Sequence, residues 1–216
     1  MVEVREYHLP PTRLVPNSPR PLLHYPGIFT SSQAATTAYD TFTANKWRVQ
    51  WIFRYGQTQR SHYHSSVHEC MAVLSGTATI RFGVADTSED MGDNTFGNAR
   101  EEGGIELQAK AGDAFIVPAG MAHKTYATEP KDSFVLLTPG DGHRVDGEDV
   151  RAALEETETR ITGFTMIGAY PKDGGEWDSR EGGEDVGAFD NIWNVPIPEL
   201  DPVLGDSEQG LRGLWT

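Results

Sequence analysis

Short runs in which apolar and polar side chains alternate follow one another between residues 36 and 138, and glycines separate most of them. Alternation places every second side chain on one face of an extended strand. The runs are 46–55, 69–75, 77–82, 105–110, 113–117 and 133–138. Many short strands joined by turn residues are typical of a sandwich or a small barrel. The sequence therefore predicts an all-β fold.

The first 35 residues form a separate, proline-rich stretch with six prolines. Each proline removes a backbone donor and fixes φ, which argues against a helix or a central strand. We therefore expect residues 1–35 to form an extended arm. Its apolar side chains have no face of their own to bury, so the arm is expected to cross onto a neighbouring subunit of a homodimer or to cover a sheet edge. These anchors are Leu22, Leu23, Ile28 and Phe29.

An acidic stretch, residues 84–104, interrupts the predicted barrel. A run of like charges between two strands predicts a solvated loop. A calcium-binding loop is the alternative. It fails because Met91 stands where the turn glycine is needed and Gly97 where a bidentate glutamate is needed.

Residues 139–216 are expected to contain one accessory helix, a further strand and a C-terminal tail. Asp146 can cap the helix, and its apolar side follows a helical spacing through Val150, Leu154, Thr157 and Ile161. Three tryptophans lie further along, Trp177, Trp193 and Trp215. That much aromatic surface is unusual in a free tail, so the tail is predicted to wrap back onto the barrel.

Length and charge limit the classes of partner. The 216 residues suffice for one domain with a substantial core, so we expect a single domain over residues 1–216. A net charge of −14 repels nucleic acid and anionic membranes, which leaves a small-molecule substrate as the expected partner. The start of the chain does not resemble a secretory signal, and the single Cys70 cannot form an intrachain disulfide. We therefore expect a cytoplasmic protein.

The spacing of three histidines and one glutamate is the most informative motif. The pattern is Gly56-x5-His62-x-His64-x4-Glu69-x6-Gly76, followed by Gly112-x5-Pro118-x-Gly120-x2-His123. His62 and His64 have the same parity on an extended segment, so their imidazoles project to one side. Glu69 shares the inward parity of Met71 and Val73, and a turn before His123 can return that residue to the barrel mouth.

Three neutral imidazoles and one carboxylate suit a divalent first-row transition metal such as Mn, Fe, Co, Ni or Zn. The sequence therefore predicts one metal ion bound by His62, His64, Glu69 and His123. His68 and Cys70 have the opposite parity and are expected to face away from the barrel interior. Nothing near Cys70 in the sequence activates a thiol. The off-face Lys124 is expected to form a salt bridge at the rim or to serve as a charge on an edge strand.

Inward-facing side chains of the predicted strands are candidates for a substrate pocket. In the run 46–55 the odd positions are apolar, and they are predicted to share one inward face: Trp47, Val49, Trp51, Phe53 and Tyr55. The pocket candidates are Trp51, Phe53, Tyr55, Met71 and Phe115. For most of them, packing in the barrel core is the simpler interpretation.

The histidine motifs resemble the two motifs of the cupin superfamily. Every position of the first motif is present, and the second departs once, with Ala127 where many members have asparagine. Other segments are similar to the YjlB-like cupins, and this likeness covers almost the whole chain: Val15-Pro16-Asn17-Ser18-Pro19, His62 to Glu69, Gly168-Ala169-Tyr170-Pro171 and Val195 to Val203. The resemblance implies a double-stranded β-helix, the cupin jelly roll, with a metal site.

Three classes of function are compatible with this ligand set. The first is a redox metal enzyme of the dioxygenase type, favoured on the resemblance. The second is a non-redox metal-dependent isomerase, decarboxylase or hydrolase. The third is a small-molecule-binding cupin without turnover. In the enzyme classes Glu69 is the candidate catalytic residue, as a ligand that can also accept a proton.

Overall fold

The computed structural model describes residues 2–30 and 34–216, and antiparallel strands dominate it. The described strands are β1 (Arg5–Tyr7), β2 (Leu22–Tyr25), β3 (Trp47–Arg54), β4 (Glu69–Ser75), β5 (Thr77–Phe82), β6 (Ile105–Lys110), β7 (Ala114–Val117), β8 (His123–Glu129), β9 (Val135–Leu136) and β10 (Thr165–Pro171). Seven of them form one sheet in the order β1-β2-β7-β4-β10-β3-β9, and three form a second in the order β6-β5-β8. The predicted all-β fold is confirmed.

Five helices accompany the sheets in the described part of the chain, where the sequence predicted one. They are α1 (Ala34–Ala44), α2 (Met91–Phe96), α3 (Val150–Glu158), α4 (Phe189–Trp193) and α5 (Leu211–Leu214). The accessory helix α3 begins later than expected. Asp149, not Asp146, is its N-cap, and the Asp149 side chain accepts a hydrogen bond from the Ala152 amide. No described helix is both long and apolar enough to cross a membrane.

The sheet takes strands from both flanks of the predicted barrel region 36–138. In the N-terminal arm, β1 pairs with β2, and β2 pairs with β7. The exclusion of a central strand from the arm is wrong, because Pro21 and Pro26 flank β2 and leave its own amides free to pair. The arm thus covers the β7 edge of its own chain. Residue 1 and residues 31–33 of the predicted arm lie outside the described residues, and the homodimer stays a prediction.

Both faces of the seven-stranded sheet are buried. On β4, Met71 and Val73 pack between the two sheets with Ile80 and Phe82 of β5. The alternate β4 side chains pack on the other side, against α1, α3 and the C-terminal tail. These side chains are Cys70, Ala72 and Leu74. A strand with two buried faces has no polar side, which explains the nearly continuous apolar sequence of β4.

A β-bulge divides the predicted inward face of β3. Gly168 of β10 pairs with Trp51, but the next residue, Ala169, pairs with Val49, so Gln50 has no partner in the register. An extra residue reverses the parity of the side chains beyond it. Trp47 and Val49 therefore pack beneath the sheet, whereas the later odd positions Trp51, Phe53 and Tyr55 lie between the sheets. The prediction of a single inward face is wrong for this reason.

The acidic insertion 84–104 is ordered around a short helix and is more than a solvated loop. The Asp90 side chain caps α2 by accepting from the amides of Gly92 and Asp93. The buried guanidinium of Arg81, on β5, donates to the carbonyl oxygens of Asn94 and Thr95, each at 2.9 Å. A cation bound to the C-terminal carbonyls of a helix compensates for the missing intrahelical donors there.

The C-terminal tail lies against the barrel, as its tryptophans predict. Trp193 and Trp215 donate their indole N–H groups to the carbonyl oxygens of Pro16 and Pro21 in the arm. Asp201 is fully buried, and its carboxylate accepts from the Tyr25 hydroxyl at 2.6 Å and from the Leu211 amide at 2.8 Å. Asp201 thus joins the tail to β2.

Replacing Asp201 by alanine should lower the free energy of unfolding by about 3 kcal/mol, because buried donors would lose their acceptor. Denaturant unfolding measures this difference. Asp206→Ala, at an exposed site of the same tail, is the matched control and should change the free energy by less than about 0.5 kcal/mol. Equal effects of the two variants would contradict the anchoring role.

Candidate metal centre

Three histidines converge at one end of the space between the sheets. His62, His64 and His123 each contribute one ring nitrogen, and these three nitrogens lie within 4.8 Å of one another. The backbones of His62 and His123 form an antiparallel pair through reciprocal N–H···O bonds of 3.1 and 2.8 Å. This pairing places the segment 62–64 beside the start of β8. The structure therefore brings together the three predicted histidines.

Each imidazole has its Nδ1 atom directed at a backbone carbonyl oxygen. His62 Nδ1 lies 3.2 Å from Arg60 O, and His123 Nδ1 lies 3.3 Å from Met121 O. His64 Nδ1 is hydrogen-bonded to Asp178 O. A carbonyl oxygen can only accept, so Nδ1 carries the proton in all three rings. When they are neutral, the rings consequently present their Nε2 lone pairs to the centre.

The Glu69 carboxylate, at the start of β4, lies beside these nitrogens. Its Oε1 is 3.3 Å from His64 Nε2, and its Oε2 is 3.2 Å from His123 Nε2. All these groups are at least nine-tenths buried. His64 Nε2 and Glu69 Oε2 have no hydrogen-bond partner. Neutral imidazole nitrogens and carboxylate oxygens are both acceptors, so this contact is repulsive unless a proton or a cation lies between them.

The ionisation of the four groups reflects burial and their mutual charges. Burial, together with the charges of His123 and His64, lowers the pKa of His62 to about 3. Burial also lowers the pKa of His123, against the opposing effect of Glu69. Burial tends to lower the pKa of His64, but the Glu69 carboxylate and Asp178 together outweigh it and raise the pKa. Burial tends to raise the pKa of Glu69, but His64 and His123 outweigh it and hold the pKa at about 2.

This donor set fits a divalent transition metal. Metal-bound histidines in proteins are neutral and have their second ring nitrogen donating to a carbonyl or carboxylate oxygen. Here that requirement is met at every histidine, and Glu69 is held ionised beside them. A metal ion would be bound by His62, His64 and His123, with Glu69 in position to add an anionic oxygen. Nitrogen donors with one carboxylate suit Mn, Fe, Co, Ni or Zn.

Tyr170, on β10, orients Glu69, and the sequence motifs assigned it no role. Its hydroxyl donates to Glu69 Oε1 at 2.5 Å and accepts from the Trp51 indole N–H at 3.2 Å. Burial and the Glu69 charge raise the pKa of Tyr170, so it remains a donor. A Cβ at residue 168 would collide with the Trp51 ring. Glycine at position 168 therefore lets Trp51 lie across β10 and reach Tyr170.

The five pocket candidates lie in one packed cluster between the sheets. Met71 and Phe115 are fully buried core residues, and the Phe115 ring stacks on His24 at 4.5 Å. Trp51 contributes through its bond to Tyr170. Tyr55 is buried, and burial and then the Glu69 charge raise its pKa. Phe53 is only partly buried and stacks on Phe134, a ring that is 57% exposed.

The remaining candidates have other partners. His68 is buried, accepts from the Ala119 amide at its Nδ1, and contacts the Trp215 ring at 4.8 Å. Cys70 is fully buried, and burial together with nearby carboxylates raises the pKa of its thiol, which makes it a poor nucleophile.

The Lys124 ammonium is bonded to Asp86, but this pair is buried, whereas the sequence predicted an exposed rim. The same carboxylate accepts from the Ser61 amide. Asp86 thus joins Ser61, which precedes His62, to Lys124, which follows His123. No motif indicates this role, because the contacts join segments that are distant in the sequence.

The chain is similar to a known protein family and to a curated protein. Residues 57–153 match the Cupin family model. The curated "Uncharacterized protein YjlB" of Bacillus subtilis (strain 168) is 26% identical over 219 residues, which covers 99% of this chain and 97% of that protein.

The solved structures that match this chain include two proteins of different origin. Vicilin from Capsicum annuum has 9% identity and a TM-score of 0.34, with 75% of this chain and 30% of that chain covered. An oxalate decarboxylase from Lactobacillus farciminis in a formate complex has 12% identity and a TM-score of 0.29, with 61% of this chain and 27% of that chain covered. The chain thus spans less than a third of the length of these solved chains.

Replacing His62, His64 or His123 by alanine should in each case reduce the bound metal to a small fraction of one ion per chain. Each replacement removes one of the three imidazole donors and leaves only two imidazoles and a carboxylate. Elemental analysis of protein dialysed against equimolar zinc measures this. His68→Ala removes a buried histidine outside the centre and should retain full occupancy. Loss of metal from His68→Ala alone, with the other three variants loaded, would refute the assignment.

Proposed function

We propose that this chain, whose residues 57–153 match the Cupin family model, is a metal-dependent enzyme acting on a small, partly apolar substrate with an oxygen donor. The proposal rests on one observation. The Nε2 atoms of His64 and His123, which are acceptors when the rings are neutral, lie 3.2–3.3 Å from the Glu69 carboxylate oxygens. The Nδ1 atom of each of the three imidazoles points at a backbone carbonyl oxygen. Such an arrangement is costly unless a proton or a cation lies between the acceptors, and a metal cation can bind all of them at once.

The unequal burial of the ligands supports access by a small molecule. His64, His123 and Glu69 are buried, whereas His62 is only partly buried. A substrate would therefore reach the centre on the side of His62. A structural metal is usually enclosed by four protein ligands rich in cysteine. A centre of histidines and one carboxylate, with one ligand partly exposed, is more typical of catalysis.

Aromatic groups near the centre support the partly apolar character of the substrate. Trp177 lies 5.5 Å from the His64 ring, measured between centroids, and stacks on His143 at 4.2 Å. The partly buried Phe53 lies 5.0 Å from Trp51, the indole that bonds to Tyr170. Half-buried aromatic rings provide apolar contact area around a few polar groups, as small-molecule sites require.

In the proposed reaction, a bound metal ion would act as a Lewis acid toward the substrate oxygen. The protein groups bind and orient. Tyr170 holds Glu69 Oε1 and leaves Oε2 directed at the centre without a hydrogen-bond partner. We propose that Glu69 is both a ligand and, through Oε2, the acceptor of a substrate proton.

We place a dioxygenase-type oxidoreductase first among the possible reactions, on the cupin resemblance and the oxygen-donor substrate. A non-redox isomerase, decarboxylase or hydrolase is second, and the unpartnered Glu69 Oε2 favours it, since these reactions need a proton acceptor. The two classes differ in oxygen consumption. An oxygen electrode with iron-loaded protein and a panel of phenols and diketones therefore discriminates between them.

Glu69→Gln keeps the shape of the side chain and removes its charge. When it is loaded to the same metal content as the parent, its turnover should fall about 100-fold, because a proton acceptor is lost. Glu106→Gln, at an exposed position on the edge strand β6, is the control and should retain parental turnover. Parental turnover in Glu69→Gln would contradict the acceptor role. Absence of turnover in the parent with Fe, Mn, Ni, Co or Zn would instead favour a binding protein.

A further inference from the structure

A short C-terminal segment, residues 177–180, covers the ligand segment 62–65. It lies outside residues 57–153, the part of the chain that matches the family model. The backbones of Tyr63 and Arg180 form an antiparallel pair through N–H···O bonds of 2.8 and 3.0 Å. The Trp177 ring packs against His64, and its indole N–H donates to Gly142 O at 3.2 Å. The segment is therefore part of the wall of the metal centre.

His64 differs from the other two histidines in the origin of its hydrogen-bond acceptor. The acceptors of His62 and His123 are the carbonyls of Arg60 and Met121, two residues earlier in the same segments. The acceptor of His64 is the carbonyl of Asp178, which is 114 residues away in sequence. These two acceptors therefore lie in the same short segments as their histidines. The orientation of His64 therefore depends on how the C-terminal segment docks.

The side chain of Asp178 fixes that docking. Its Oδ1 accepts from the Ser65 amide at 2.7 Å, and its Oδ2 accepts from the Ser65 hydroxyl at 2.6 Å. Arg180 Nε also donates to Oδ2, at 3.0 Å. Ser65 directly follows His64. Asp178 thus binds the His64 ring through its backbone carbonyl and Ser65 through its carboxylate. These bonds restrict movement of the C-terminal segment along the ligand segment.

We propose that Asp178 is a positioning residue for the metal centre: through its bonds to Ser65 it holds its own carbonyl oxygen on His64 Nδ1, which fixes the Nδ1–H form of the ring and directs Nε2 inward. The inference rests on the proposed metal site. Groups that hold the second nitrogen of a ligating histidine commonly change metal affinity by 10- to 100-fold when they are removed.

The test compares Asp178→Ala with Asp173→Ala, an exposed carboxylate at the preceding turn. Cobalt(II) affinity is measured by competition with a chromophoric chelator. Asp178→Ala should bind cobalt about 10- to 100-fold more weakly than the parent, and Asp173→Ala should match the parent. Asp178→Asn retains an acceptor for the Ser65 amide and should recover part of the loss. Parental affinity in Asp178→Ala would overturn the proposal.

A second measurement needs no metal. In metal-free protein labelled with ¹⁵N-histidine, long-range ¹H–¹⁵N spectra at about pH 9, above the ordinary imidazole pKa, report which nitrogen is protonated. The parent should show His64 in the Nδ1–H form, and Asp178→Ala should show a mixture at His64, with His62 and His123 unchanged. An unaltered His64 spectrum overturns the proposal.

The two measurements distinguish the possible failures. A parent that binds no metal would overturn the proposed function, and the spectra would still decide the role of Asp178. If Asp178→Ala does not fold, Ser65→Ala removes only the hydroxyl donor to Oδ2 and should weaken cobalt binding about 5-fold. Parental affinity in a folded Ser65→Ala protein would then overturn the positioning role.

Discussion

The structure depends on a contact between the Glu69 carboxylate and imidazole nitrogens, which repel one another when the imidazoles are neutral. The Nε2 atoms of His64 and His123 lie 3.2–3.3 Å from the oxygens of Glu69. The Nδ1 atoms of all three histidines are hydrogen-bonded to backbone carbonyl oxygens. Desolvated acceptors without a donor are costly, so a fold that assembles them must stabilise them elsewhere or bind a cation. The surrounding strands, the bulge in β3 and the tail all hold these groups in place.

Distant parts of the chain contribute to this arrangement. The 62–64 segment and β8 supply the imidazoles, β4 supplies Glu69, and β10 supplies the Tyr170 hydroxyl that fixes it. β10 comes last among the described strands, yet it lies between β3 and β4 in the interior of the seven-stranded sheet. The tail then packs beneath the sheet through Trp215 and beside His64 through Trp177. The candidate metal centre consequently depends on segments beyond the two histidine motifs.

Local spacing was sufficient to predict the all-β fold and to bring three histidines together, because strand parity and turn residues act over a few positions. It failed where contacts between distant segments decide the structure. The partner of Gln50 is missing only because β10 pairs with β3 out of step, and no feature of the β3 sequence shows this. Tyr170, Asp178 and Asp86 act through residues more than 20 positions away, which a motif cannot report.

The central claim is that the imidazoles of His62, His64 and His123 bind one metal ion. X-ray absorption spectroscopy on protein loaded with one equivalent of cobalt(II) tests it most directly, since imidazole rings give characteristic outer-shell scattering. The account predicts a site of nitrogen and oxygen donors with about three imidazoles, at metal–nitrogen distances of about 2.0–2.2 Å. A spectrum with oxygen donors alone and no imidazole scattering would contradict it.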